Sequence, residues 1–276
     1  MNRGGATFKK YSSAGVDWAA WFLGVGLGLT LALQITTMRW SDISSVYSAI
    51  ASISRVAALI GTFFAIVGIF LVSRIPWVER GVGHDRLVTW HRKLGPWSLY
   101  LIGFHVLFII LSFAGQDHVA LAVELWRMLG NFEWMWWALA GFILMVMAGV
   151  TSYKKARAKM SYETWWIIHV YTYLAIAASF MHQVVNGQMF IDHPLNRAYW
   201  TFLYVAMAFS IIWWRIGIPL VRSLRHNLRV EKVVVAGPGV ISVVMKGRKL
   251  TELAAEGGQF FGWRFAAKGH FLMSDR

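Results

Sequence analysis

Long apolar runs alternate with short polar connections along this chain, and six of the runs approach or exceed the roughly 20 residues that a bilayer-spanning helix needs. They lie at about 16–37, 47–72, 87–113, 134–152, 162–185 and 198–220. Six such runs leave almost no amphipathic surface of the kind a soluble helical protein shows to water. The pattern predicts an all-α membrane protein: a polar segment over 1–15, then a six-helix transmembrane bundle over 16–222. Beyond Arg222 the pattern changes. Val230–Ala236 and Val240–Met245 are β-branched runs separated by Gly237-Pro238-Gly239, which reads as a hairpin or two adjacent strands. Gln259–Phe265, after Gly257-Gly258, is a third candidate strand. A β domain is thus expected over 228–276, too short to complete a barrel and a nucleotide-binding domain.

Composition agrees with the membrane reading. The chain is 57% hydrophobic with 16 Trp, too apolar for an ordinary soluble domain. Met1–Ser13 is polar and basic and lacks a signal-peptide pattern. With no Cys, disulfides, thiolate-ligated haem and cysteine-held iron–sulfur clusters are excluded.

The net charge of +14 is explained by where it falls. The N-terminus carries Arg3, Lys9 and Lys10. The second connection carries Arg74, Arg80, Arg86, Arg92 and Lys93, and the fourth carries Lys154, Lys155, Arg157 and Lys159. The first, third and fifth hold Arg39, Arg127 and Arg197. This alternation follows the positive-inside rule and predicts cytoplasmic termini in the cell (plasma) membrane. The expected partner of these charges is the lipid surface, not nucleic acid.

Four histidines lie inside the spans. His91 and His105 are fourteen residues apart in the third; His169 and His182 are thirteen apart in the fifth. Histidine in a membrane helix needs a partner. Both spans run in the same direction, so His91 and His169 share the inner depth and His105 and His182 the outer. At 1.5 Å per residue each helix separates its pair by roughly 20 Å, the spacing of two stacked haems across a bilayer. Fourteen residues return His105 to within about 40° of His91, whereas thirteen leave His169 and His182 about 140° apart. A bulge, a tilt or a rotated second haem must absorb that angle. Gly95 and Ser98 on the His91 face leave room for a flat macrocycle, and Pro96 is placed to bend the helix. With two histidines on each iron, both axial positions are filled and the chemistry is outer-sphere electron transfer.

His91-Arg-Lys-Leu-Gly-Pro-Trp97, Gly103-Phe-His105, Tyr162-Glu-Thr-Trp-Trp-Ile-Ile-His169 and His182 resemble the ferric reductase-like transmembrane superfamily in its bacterial form, which includes NADPH oxidases and ferric-chelate reductases. The likeness spans 16–265. It implies two b-type haems, on His91 with His169 and on His105 with His182. It also implies electron transfer from cytoplasmic NADPH or NADH through FAD to an external acceptor, either oxygen, giving superoxide, or a ferric chelate. Gly258-Gln-Phe-Phe261 is similar to the strand before the family's flavin loop. The family's following His-Pro-Phe/Tyr-Ser-Leu-Ser stretch has no counterpart, His270-Phe-Leu-Met-Ser274 does not replace it, and no glycine-rich nicotinamide motif follows. The resemblance therefore implies an FAD domain cut short.

Other candidates have two readings each. Arg55 either pairs with outer-haem propionates or an oxygen-derived anion, or snorkels to the outer interface. Arg92 and Lys93 pair with inner-haem propionates or only follow the positive-inside bias. Ile109 stands where some oxidases of the family carry a further histidine. His118 and His193 are loop positions that could receive a metal chelate; His84 and His226 read as ordinary. Trp97, Tyr100, Tyr171 and Tyr173 lie between the haem depths, as bridge or packing. Gly24, Gly26 and Gly28 suggest close helix packing. Two alternatives remain: a non-catalytic haem subunit relaying electrons to a partner protein, as homo-oligomer or with another subunit, and a transporter or proton channel using the histidines.

Overall fold

A computed structural model of the chain describes residues 13–39, 41 and 43–253. The expected third strand, the Gly258–Phe261 and His270–Ser274 stretches, and Arg3, Lys9 and Lys10 lie outside the described residues. The chain divides into two compact units, Met1–Phe209 and Ser210–Arg276.

The first unit contains α1 (Ser13–Thr37), α2 (Val46–Val72), α3 (Pro76–Val82), α4 (His84–Asp117), α5 (Leu121–Asn131), α6 (Met135–Ser152), α7 (Lys154–Arg157), α8 (Tyr162–Asn186) and α9 (Pro194–Ser210). Six helical stretches are long and apolar enough to cross a membrane: Ala14–Thr37, Val46–Val72, His84–Asp117, Met135–Ser152, Tyr162–Asn186 and Pro194–His226. They match the six apolar runs. Polar residues set the starts: Ser45 and Ser48 form a reciprocal capping box on α2, and the Ser161 side chain accepts from the Thr164 amide at the start of α8. Two short helices lie between spans. α3 opens on Pro76, where the missing N–H is harmless. α5 is amphipathic and buries Glu124, Met128 and Leu129.

Two helix pairs hold most of the interhelical contact, α2 with α4 and α6 with α8. Small residues let the backbones approach. A Cβ on Gly61 would lie 2.9 Å from Ile102 Cγ1 and 3.1 Å from the Ser98 carbonyl; one on Gly141 would lie 2.6 Å from the Ala175 carbonyl. Gly15 of α1 meets Gly81 of α3 backbone to backbone. Of the three glycines expected to pack in α1, only Gly26 does, against the Phe63 ring, while Gly24 and Gly28 face open space. The Gly26 carbonyl accepts from both Thr30 Oγ1 and the Tyr199 hydroxyl, so α1 is tied to α9 by hydrogen bonds at this point.

The α2–α4 seam has a regular register. Four α4 side chains reach α2 carbonyls: His91 Nδ1 to Gly68 (2.9 Å), Ser98 Oγ to Gly61 (2.7 Å), His105 Nδ1 to Ser54 (3.1 Å) and Ser112 Oγ to Tyr47 (2.6 Å). The donors advance by seven residues while the acceptors retreat by seven. Seven residues are two helical turns, so an antiparallel pair with a heptad seam brings the same faces together at each rung. A carbonyl already bonded within its helix keeps a second lone pair for such a rung.

The second unit holds a π-helical stretch (Ile211–Gly217), α10 (Ile218–His226) and an antiparallel hairpin of β1 (Arg229–Gly237) and β2 (Val240–Lys246). The expected hairpin is present, with Gly239 at φ 71° in its two-residue turn. His226 is buried; its carbonyl accepts from the Arg248 amide and its Nδ1 lies 3.2 Å from the Arg248 carbonyl.

Candidate functional site

The structure brings His91 of α4 and His169 of α8 together, with ring centroids 5.9 Å apart and planes at 85°. Imidazole nitrogen binds a transition metal at about 2 Å and the ring centre lies roughly 1 Å further, so two imidazoles trans on one metal have centroids about 6 Å apart. His105 and His182 line one cavity of about 230 Å³ toward the other end of the same two helices. Its wall is mostly apolar, including Leu59, Ile102, Ile109, Phe142 and Met145, with Arg55 at its polar part.

The α2–α4 register fixes the tautomers on α4. A carbonyl only accepts, so Nδ1 of His91 and of His105 carries the proton, and Nε2 holds the lone pair a metal needs. This is the outer support that ligating histidines commonly have. His169 differs: its Nδ1 lies 3.3 Å from Ser152 Oγ. His182 Nδ1 is buried with no hydrogen-bond partner among the described residues. A buried orphan nitrogen is rare, so the protein alone leaves that ring incomplete. Paired imidazoles at the right separation, lone pairs set by backbone, and an apolar cavity lined by His105 and His182 all fit a haem. Among the described residues there is no cluster of three or more His, Cys, Asp or Glu side chains to hold a metal without one.

The thirteen-residue interval is accommodated without a bulge. α8 is unbroken α-helix from Tyr162 to Asn186, and the described π-helical stretch lies in the sixth apolar run. Helix tilt or a rotated macrocycle remains to absorb the 140°. α8 is anchored near His182 through Gln183, whose Oε1 accepts from Trp200 Nε1 (2.8 Å) and the Tyr204 hydroxyl (3.1 Å).

Ser98 does not leave room for a macrocycle. It is buried and forms the rung to Gly61. Gly95 does face open space. Pro96 sits inside α4 without interrupting it. Arg55 donates to Gln188 Oε1 at 3.0 Å from the cavity wall. Arg92 and Lys93 are exposed in the first turns of α4. Trp97 and Tyr100 stand edge to face on an exposed face, Tyr171 is also exposed, and Tyr173 is half-buried. His118 is the exposed left-handed cap of α4, and His193 is exposed before α9. His84 lies 3.0 Å from an Arg74 guanidinium nitrogen that also pairs with Glu79.

Residues 56–180 match the family model described as ferric reductase like transmembrane component. Those residues form a ferric reductase-like transmembrane domain. Its span covers His91, His105 and His169 and stops just before His182. Comparison with curated proteins and with solved structures gave no match. Six helices long and apolar enough to cross a membrane, four of them within or overlapping the matched residues, support a multi-pass membrane protein, and the ferric reductase-like domain implies transmembrane electron transfer in general.

Sequence reasoning passed over the seam and its supports. His91, Ser98, His105 and Ser112 recur every seven residues, a polar heptad within an apolar run that was visible in the chain. Gln183, Gln188 and Ser152 gave no comparable signal, because their roles depend on which helices meet.

Proposed function

We propose that the ferric reductase-like domain carries two b-type haems, held by His91 with His169 and by His105 with His182. Through them electrons pass from cytoplasmic NADPH or NADH, by way of FAD, to an external acceptor. The observation that carries this reading is the sorting of four histidines into two sites by depth, one histidine from α4 and one from α8 in each. A haem held by these histidine pairs would supply one-electron, outer-sphere transfer. The protein's part is to fix the ligands. Gly68 and Ser54 carbonyls orient the α4 imidazoles, and Gln183 pins α8 to α9 beside His182. Arg55, held by Gln188, places a cation at the His105 cavity, where it would balance a propionate or an anionic product. The basic connections orient both termini to the cytoplasm, so the His91–His169 site receives electrons and the His105–His182 site releases them.

The family resemblance favours oxygen, giving superoxide, as acceptor, and Ile109 in the cavity wall, where some oxidases of the family carry a further histidine, counts against it and toward the ferric chelate. A superoxide-specific assay on the full-length protein supplied with FAD and NADPH, with and without a ferric chelate, tests this. Superoxide that falls when chelate is added supports the oxidase; chelate reduction without superoxide assigns the ferric reductase. Haem reduction with neither product supports a relay to a partner protein.

A further inference from the structure

The short helix α5 is 11 residues long. At 1.5 Å per residue that is about 16 Å, roughly half of what crossing a bilayer core requires. It packs on α4 and α6, and its residues fall into three strips around the helix at about 100° per residue. Glu124, Leu125, Met128 and Leu129 share the first, and the last three line the cavity of His105 and His182. Ala122, Val123 and Trp126 form the second, which the protein leaves uncovered: Trp126 is 69% exposed and Val123 46%. Arg127 and Asn131, also exposed, complete the circle.

The uncovered apolar strip continues onto the surface of a span. The Trp126 indole meets that of Trp136 edge to face, with ring centroids 5.7 Å apart and planes at 89°. Trp136 lies in the first turn of α6, a helix long and apolar enough to cross a membrane, and both it and Trp137 are exposed there. The first turn of a span stands where headgroups give way to hydrocarbon. Tryptophan is favoured at that level, because its ring is apolar and its N–H can still reach a polar partner. Contact with Trp136 brings Trp126 to the same depth. On the polar strip Arg127 faces Asp117 at 3.5 Å, with both side chains about half exposed.

We infer that α5 is an interfacial helix. It lies along the membrane boundary with Ala122, Val123 and Trp126 against phospholipid and with Arg127 and Asn131 toward water, while its remaining side closes the cavity of His105 and His182. A helix too short to span, with an apolar exposed strip beside a polar one, gains most by resting in this plane. The bilayer then holds the cover of the cavity from outside. This placement depends on the six spans and not on what the cavity binds.

The chain has no Cys, so one introduced cysteine carries one nitroxide label. The full chain is reconstituted in nanodiscs of palmitoyl-oleoyl phosphatidylcholine. Power saturation then reads how often the label collides with oxygen, which partitions into lipid, and with a neutral nickel chelate, which stays in water. Val123→Cys and Trp126→Cys are expected to show an oxygen-to-nickel collision ratio several-fold above that of Asn131→Cys. Ile143→Cys, at an exposed position midway along α6, is expected to give a higher ratio still. Val123→Cys keeps the indole and decides the result where Trp126→Cys disturbs the helix. A ratio at Val123 no higher than at Asn131 would put the strip in water and overturn the inference. Protection from both reagents at Val123 and Trp126 would show the strip covered by protein, a second copy or another subunit, and would overturn it equally.

Discussion

Gly61 sits at the second rung of the α2–α4 seam, and replacing it with Ala tests whether that seam governs the bundle. The added Cβ would stand 2.9 Å from Ile102 Cγ1, 3.0 Å from Leu101 Cβ and 3.1 Å from the Ser98 carbonyl oxygen. Comfortable carbon contacts begin near 3.5 Å, so the helices must part by about half an ångström. That stretches the 2.7 Å Ser98–Gly61 bond to about 3.2 Å, beyond the usual O–H···O range. Overpacking costs about 1–3 kcal/mol and the lost interhelical bond about 0.6 kcal/mol. The better helix propensity of Ala returns up to about 1 kcal/mol. The expected net destabilisation is therefore roughly 0.6–3.6 kcal/mol. Gly28→Ala is the control, because its Cβ would meet nothing within 4 Å; it should be neutral or stabilising. Thermal unfolding of the detergent-purified chain measures both. A Gly61→Ala protein at least as stable as wild type, indistinguishable from Gly28→Ala, would refute the tight-seam reading.

Further expectations concern the ends of the site and the helix contacts. Gln183→Leu leaves the buried Trp200 indole N–H and Tyr204 hydroxyl without their acceptor, so unfolding should be easier by about 1–3 kcal/mol for each; adding Trp200→Phe should recover part of it. Gly15→Val drives a side chain into the Gly81 backbone and should lower the unfolding temperature, whereas Gly24→Ala, facing open space, should not. Arg55→Leu should lower the midpoint of the outer haem in a redox titration and slow acceptor reduction, leaving the inner haem's midpoint in place; equal shifts in both haems would argue against its place at the outer cavity.

The six spans were legible in the chain because their signal is bulk hydropathy, which does not depend on partners. α3 and α5 were not, since seven and eleven residues are too short for a span and read as connection. That His91 falls beside His169, and His105 on one cavity with His182, was legible from span order and helical rise. Their support was not: Ser98 was read as space on a helix face, whereas its hydroxyl is satisfied by a carbonyl of another helix. Gly24, Gly26 and Gly28 look alike in sequence, but only Gly26 meets Phe63, a distinction set by where α2 passes. That α8 runs as unbroken α-helix across the thirteen-residue interval could not be read from spacing alone. The hairpin was legible from β-branching and Gly-Pro-Gly.

Haem stoichiometry in four single variants tests the central claim most directly. Pyridine haemochrome and redox-difference spectra should show two b-type haems per wild-type chain. His91→Ala and His169→Ala should each remove the same haem, and His105→Ala and His182→Ala the other. Losses that pair by helix instead, His91 with His105 and His169 with His182, or a wild-type chain without haem, would contradict it.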